Sequence, residues 1–145
     1  MSTEQTAREM LRAFNANDAA AFRAVLEDGF IYREYATHRE AHTGDEAVAM
    51  IFPWKEALGA DHHGDLVRLV VSRDVAVMEV TWRGRHVGPL SLPDGTVVPP
   101  TDAVIEAPAC MVMTARDGKL TEMNHYFDAL ELLIRVGVIP APATA

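Results

Sequence analysis

The chain predicts an α+β domain in which N-terminal helices pack on one face of a curled antiparallel sheet and enclose a pocket. Three observations carry this. Apolar residues recur at helical spacing in three stretches of the first 60 residues, with one strand-like run at Phe30–Tyr35 between them. After Asp61-His62-His63-Gly64 the period drops to two, and strand formers dominate to Phe127. Helices gathered first and strands gathered last suit segregated layers, and 145 residues, about half of them apolar, suffice for one core. Residues 1–145 are therefore read as one domain, with a frayed tail from about residue 140.

The elements follow in order. Ser2 with Gln5 forms a capping box, and Ala7, Met10, Leu11 and Phe14 make the stripe of a first helix. Asn17-Asp18 recaps a short second helix carrying Phe22, Val25 and Leu26 up to Gly29. Phe30–Tyr35 is rich in strand formers. Thr43 with Glu46 caps a third helix through Val48, Ile51, Phe52 and Leu58, and Pro53 predicts a kink near Phe52 that re-aims Trp54. Strands are expected at Leu66–Ser72, Val75–Val87, about Val104–Thr114 and Leu120–Phe127. Residues 88–101, with four prolines and two glycines, read as a loop. Pro108 suggests an edge strand or a bulge, Asp117-Gly118 a hairpin turn, and a short helix starts at Asp128.

A net charge of −8 with scattered arginines argues against nucleic acid. No apolar run approaches the roughly 20 residues of a membrane span. The polar N-terminus lacks a signal-peptide layout, and the single Cys110 makes no internal disulfide, so a cytoplasmic protein is expected. No metal-binding or nucleotide-loop motif occurs: His62 and His63 are adjacent and point apart, and His38/His42 do not lie on a helix. The expectation is therefore no metal, no cofactor, and a small apolar or aromatic molecule as partner.

Strand alternation sorts the chemistry-bearing residues. In the last strand Glu122, Asn124, Tyr126 and Asp128 share one face, and Met123, His125 and Phe127 share the other. Asp128 is a ready helix N-cap; in an apolar wall it would instead be an acid/base carboxylate. Val80, Trp82, Gly84 and His86 share a face, so Trp82 and His86 could line a pocket, with His86 donating to an oxyanion. Tyr32 and Tyr35 fall on opposite faces, one of them toward the pocket. Trp54, Asn124 and Tyr126 complete the substrate-binding candidates. Glu34 and Glu122 are the nearest second carboxylates.

Ordered pieces of the second half resemble a known family. Trp82-Arg-Gly-Arg-His86-Val-Gly88, Pro99-Pro-Thr101, Asp117-Gly-Lys-Leu120, Tyr126-Phe-Asp128 and Leu132-Leu-Ile-Arg-Val-Gly137-Val-Ile-Pro140 resemble the SnoaL-like group of the NTF2-like superfamily. Asp102 stands where that turn usually has Gly, and Arg135-Val136 where Gln-Leu is common. The resemblance implies a cone-shaped barrel with a deep pocket, often assembled as a homodimer or homotetramer through the outer sheet. It also implies a cofactor-free polyketide cyclase using Asp128 as acid/base for an aldol-type closure, with His86 in a pocket strand. Isomerases, dehydratases, hydrolases and non-catalytic binders share the superfamily. Asp128 and His86 are thus expected to converge on one pocket, with His125 pointing away.

Overall fold

A computed structural model describes residues 1–143. Helix α1 (Thr3–Asn15) starts at the Ser2–Gln5 capping box, and α2 (Ala19–Ala24) is capped by Asp18. Strand β1 (Leu26–Glu34) runs through a 3₁₀ turn (Tyr35–Thr37) into β2 (Arg39–Ala41). Helix α3 (Gly44–Ile51) breaks at Pro53, and α4 (Trp54–Leu58) follows. Then come β3 (His63–Ser72), β4 (Val75–Arg85), the short pair β5 (Leu90–Ser91) and β6 (Val97–Val98), β7 (Val104–Arg116), β8 (Lys119–Phe127) and α5 (Ala129–Arg135). No described helix is long and apolar enough to cross a membrane. Pro140–Ala143 has no regular structure, and the rest of the expected tail lies outside the described residues.

The main sheet has the order β2-β1-β8-β7-β4-β3 and is open, with β2 and β3 as its edges. It is not wholly antiparallel, because β1 and β8 pair in parallel. Strands joined by tight turns must run antiparallel. Strand β1 meets β8 only across most of the chain's length, so no turn dictates that direction. Strand β1 also starts earlier than Phe30: Leu26 already pairs with Leu120, and a register shift between Leu26 and Ile31 takes up three extra residues of β1. The helical stripe therefore ends before Val25 and Leu26, which pack into the core from the strand side.

Pro108 sits neither at an edge nor in a bulge. It pairs with Thr81 in the central strand β7, and its carbonyl accepts from the Asp128 N–H at 3.1 Å. Its ring nitrogen faces the same side, where β8 has just ended at Phe127, so no ladder donor is missing. The hairpin turn has Asp117 at φ 51° and Gly118 at φ 77°, the left-handed pair that a two-residue turn requires. Asp102 has φ 61°, which explains why this turn position favours glycine and why Asp tolerates it.

Two close approaches build the cup. A Cβ on Gly64 would lie 2.7 Å from the Trp82 ring, so the bare backbone lets the indole lie inward. A Cβ on Gly88 would meet the Glu56 carbonyl at 2.1 Å, so glycine lets α4 dock on the end of β4. Asn15 exchanges two hydrogen bonds with Gly64 (2.8 and 2.9 Å), tying the end of α1 to the edge strand β3. Phe14 then stands at the centre of an aromatic cluster with Phe22, Phe52, His62 and Trp82, at ring separations of 5.3–6.5 Å.

Candidate active site

The inner face of the sheet and the helices enclose an apolar cavity. Met10 and Phe14 come from α1, Phe22 from α2, Ile51 from α3, Trp54 and Leu58 from α4, and Leu132 from α5. The sheet contributes Tyr32, Trp82, Ile105, Ala107, Met111, Met123, His125 and Phe127, and His62 enters from the turn before β3. The open space at its centre is narrow, about 60 Å³.

Few polar groups interrupt this wall, and most form one directed chain. Trp82 Nε1–H donates to His125 Nε2 at 3.0 Å. Indole nitrogen is only a donor, so His125 Nε2 must be unprotonated and Nδ1 carries the proton. That proton points at Tyr32 Oη, 2.8 Å away. Tyr32 in turn donates to Glu34 Oε2 at 2.8 Å, and Trp54 Nε1–H reaches the same oxygen at 3.2 Å. Glu34 Oε1 accepts from the Thr37 hydroxyl and from Arg39 Nε (3.1 Å) and Nη2 (2.6 Å).

The environment sets the protonation states. Burial pulls His125 from 6.5 down to about 4, and a second proton would set two N–H donors against each other at Trp82. Burial opposes ionisation of Glu34, but the hydrogen bonds from Thr37 and Arg39, the Arg39 charge and the Tyr32 hydroxyl outweigh it and hold the carboxyl below its ordinary value. Burial and the Glu34 charge push the Tyr32 hydroxyl well above its ordinary value. The chain at neutral pH is therefore neutral imidazole, neutral phenol and carboxylate.

His62 stands apart from this chain. Its Nδ1–H donates to the Arg83 carbonyl at 2.8 Å, which leaves Nε2 as a lone-pair acceptor with no protein partner among the described residues. Burial lowers it to about 4, and the charge of nearby Lys55 contributes in the same direction. Lys55 is buried: its ammonium donates to the His62 carbonyl and lies 4.2 Å from the Phe14 ring centre. It pins the His62 backbone from behind the cavity wall.

The residues expected from the sequence divide. Tyr32, Trp54 and Trp82 line the cavity. Asp128 does not: it is exposed, and its Oδ1 caps α5 by accepting the Glu131 N–H at 2.9 Å. His86 does not either. Strand β4 ends at Arg85, and the His86 backbone turns away to pair with Asp102 and Ala103. Its fully buried ring takes the Thr101 N–H on Nδ1 at 3.2 Å, with Nε2 unpartnered among the described residues. Asn124 accepts from Arg33 on the outer face at 3.0 Å. Tyr35 and Tyr126 stack on each other outside, 4.8 Å apart and nearly parallel. Glu122 is likewise outside, bound to Arg33.

The alternation within β8 is as expected, but the faces are the reverse of the expectation. Met123, His125 and Phe127 face inward, so His125 points into the cavity and the Asp128 face points out. The missed groups had a shared signal, a polar residue in phase with apolar ones. Glu34 continues the buried alternation Phe30, Tyr32, Glu34, and His125 sits between Met123 and Phe127. Asp128→Ala should therefore lower stability by about 1 kcal/mol, the worth of an N-cap, and leave turnover unchanged. Thermal melts and rate measurements on the same preparation would check both.

Comparison with known proteins agrees with this architecture. The sequence pattern of the SnoaL-like domain matches residues 7–123. None of the curated proteins is a match. Among solved structures, a candidate SnoaL-like polyketide cyclase from Jannaschia sp. CCS1 is 19% identical, with 95% of this chain and 93% of that chain covered and a TM-score of 0.80. TsrD from Streptomyces laurentii is 24% identical (94% and 95% covered, TM-score 0.77). A protein with a ketosteroid isomerase-like fold from Catenulispora acidiphila is 13% identical (97% and 98% covered, TM-score 0.74). At these identities the structures share the fold, a curled open sheet closed over by helices, and the match over four-fifths of the sequence supplies the rest: the chain belongs to the SnoaL-like domain family.

Proposed function

We propose that the protein is an acid/base enzyme of the polyketide cyclase type that moves a proton α to a carbonyl on a small apolar molecule, using its own side chains. The observation that supports this most is that His62, whose Nε2 is a neutral acceptor without a partner among the described residues, and Tyr32, a hydrogen-bonded phenol, line the same apolar cavity. His62 takes the proton from carbon. The electron pair moves onto the carbonyl oxygen, and Tyr32 donates its hydrogen bond there. Tyr32 is the donor that can turn at least cost, because Glu34 keeps Trp54, Thr37 and Arg39 when Tyr32 leaves it. His125 Nδ1–H meanwhile supports the phenol oxygen. The enolate then attacks a second carbonyl in an aldol-type closure, and the new alkoxide takes back the proton held by His62; alternatively the enolate regains that proton at another carbon.

The cavity size favours substrates of about one ring at the reacting end. Epoxide hydrolysis by Asp128 with a second carboxylate is disfavoured, since Asp128 is exposed as a helix cap and Arg33 holds Glu122 outside the cavity. His62→Gln should lower the rate about 10²–10⁴-fold and Tyr32→Phe about 10²–10³-fold, each with little change in binding. Exchange of α-protons for deuterium in monocyclic β-dicarbonyls, followed by NMR, would measure this. Exchange at the wild-type rate in His62→Gln would overturn the mechanism; binding without exchange in the wild type would favour a binding protein.

We also propose that two copies pair through the outer sheet. Val70, Val77 and Val112 are aligned across β3, β4 and β7 on that face, and Val70 is 54% exposed. Light scattering should give twice 15.9 kDa for the wild type and the monomer mass for Val77→Glu. A wild-type monomer at micromolar concentration would exclude the pairing.

A further inference from the structure

A second, larger cavity of about 690 Å³ lies beside the first, and Trp54 lines both. Its apolar surface comes from Met50, Pro53 and Ala57 on one side and Leu90 and Leu92 on the other. Its polar end is the segment Thr37-His38-Arg39. Volume and lining suit a drug-sized organic molecule with one polar end.

Arg39 supplies the recognition chemistry. Its guanidinium has five N–H donors in a planar fork with two usable edges. The Nε/Nη2 edge is committed to Glu34 Oε1, and Nε also reaches Thr37 Oγ1 at 3.2 Å. The terminal Nη1/Nη2 edge keeps its other donors, Nη1 has no partner among the described residues, and the side chain is 44% exposed. An edge of this kind matches a carboxylate in bidentate fashion. Glu34 anchors the fork from behind, so the edge is held in place before a ligand arrives. The one acid that lines this cavity, Glu56, is exposed and makes no ion pair among the described residues.

We propose that the outer cavity is a binding subsite for an apolar molecule bearing a carboxylate, with Arg39 as the group that recognises the carboxylate. The skeleton of the ligand lies against Trp54, Leu90 and Leu92. Glu34 links the two cavities: one oxygen holds Tyr32 and Trp54 of the inner cavity, the other holds Arg39 of the outer one. The subsite extends the proposed function, and rests on it only in treating the ligand as the substrate; binding itself does not depend on turnover. Glu56 repels the same anion and sets an upper limit on its affinity.

The test compares 2-naphthoate with its uncharged isostere 2-naphthamide, read by tryptophan fluorescence on the whole chain. Wild type should bind the naphthoate about tenfold more tightly at low salt, and about 1 M NaCl should remove most of that preference. Glu56→Gln should increase it. Arg39→Met should abolish it, but this change also strips the buried Glu34 of its cation and can unfold the chain. Arg39→Lys keeps a charge at Glu34 and loses the fork; it should melt like the wild type and lose most of the preference. Equal affinity for the two naphthalenes, or an unchanged preference in Arg39→Lys, would overturn the proposal. Neither result touches the His62 and Tyr32 exchange experiments, which decide the inner cavity separately.

Discussion

Glu34→Ala is expected to destabilise the fold by on the order of 3–5 kcal/mol. The side chain is fully buried, and its carboxylate accepts from Thr37, Arg39, Tyr32 and Trp54. Truncation leaves the Tyr32 hydroxyl and the Trp54 N–H without an acceptor in an apolar setting, at about 1–3 kcal/mol each. It also opens a void where the carboxylate stood. Arg39 costs little, since it is half exposed and can turn to water. Glu34→Gln should cost about half as much, because the amide keeps the volume but sets an N–H₂ against one of the donors. Activity should fall in both, because Tyr32 loses its carboxylate acceptor, and the phenol oxygen that accepts from His125 is no longer held in place. Urea unfolding at pH 7 would measure the difference. A loss below about 1 kcal/mol in Glu34→Ala would show that the buried network contributes little to the fold. A loss of the expected size would be a large fraction of the 5–15 kcal/mol typical of a domain.

Stability should fall steeply between pH 6.5 and pH 4. His62 and His125 are neutral in the fold, with values of about 4 against 6.5. Between those limits the unfolded chain binds protons that the folded chain does not, so stability rises with pH across that window and is lost as the pH falls through it. A shift of that size corresponds to about 3 kcal/mol for each ring. Glu34 acts in the same direction: its pKa is lowered on folding, so its contribution is present above the ordinary carboxylate range and is lost as acid protonates it. Above pH 7 none of these three groups changes charge, and the curve should be flat with respect to them. Melting temperatures at pH 7, 5.5 and 4.5 would trace the effect. His62→Gln should flatten the slope by about half, since Gln does not titrate. A wild-type curve without slope from pH 7 to pH 5 would mean that the two rings are not held neutral.

Much of the architecture was legible in local pattern. Ser2–Gln5 and Thr43–Glu46 announced helix starts, Pro53 the break before Trp54, and Asp117-Gly118 the last hairpin, because each depends on a few adjacent residues and their backbone chemistry. The parallel pairing of β1 with β8 was not legible, since it joins segments about ninety residues apart with no turn to dictate direction. The same limit applies to the site. Trp54 and Trp82 are legible as cavity residues because large aromatic residues in otherwise apolar phases have few places to go, whereas alternation alone leaves Tyr32 and Tyr35 as alternatives, and the structure places Tyr32 inside. His62 was passed over because its turn carries no period, and its orientation comes from Arg83 and Lys55 on other elements.

The sequence by itself determined the α+β order, the helix caps and breaks, and which side chains of each strand stand together. Alternation is a local property of extended backbone, so it survives without knowledge of the fold. Only the tertiary structure decided which face of β8 is the inner one. That choice depends on the curl of the sheet and on the helices that cover it. It placed His125 against Trp82 and Tyr32, and left Asp128 outside as a helix cap. A carboxylate at a strand-to-helix junction has the same local pattern in either role. What separates the roles is whether water or an apolar wall surrounds it, and here the wall surrounds Glu34.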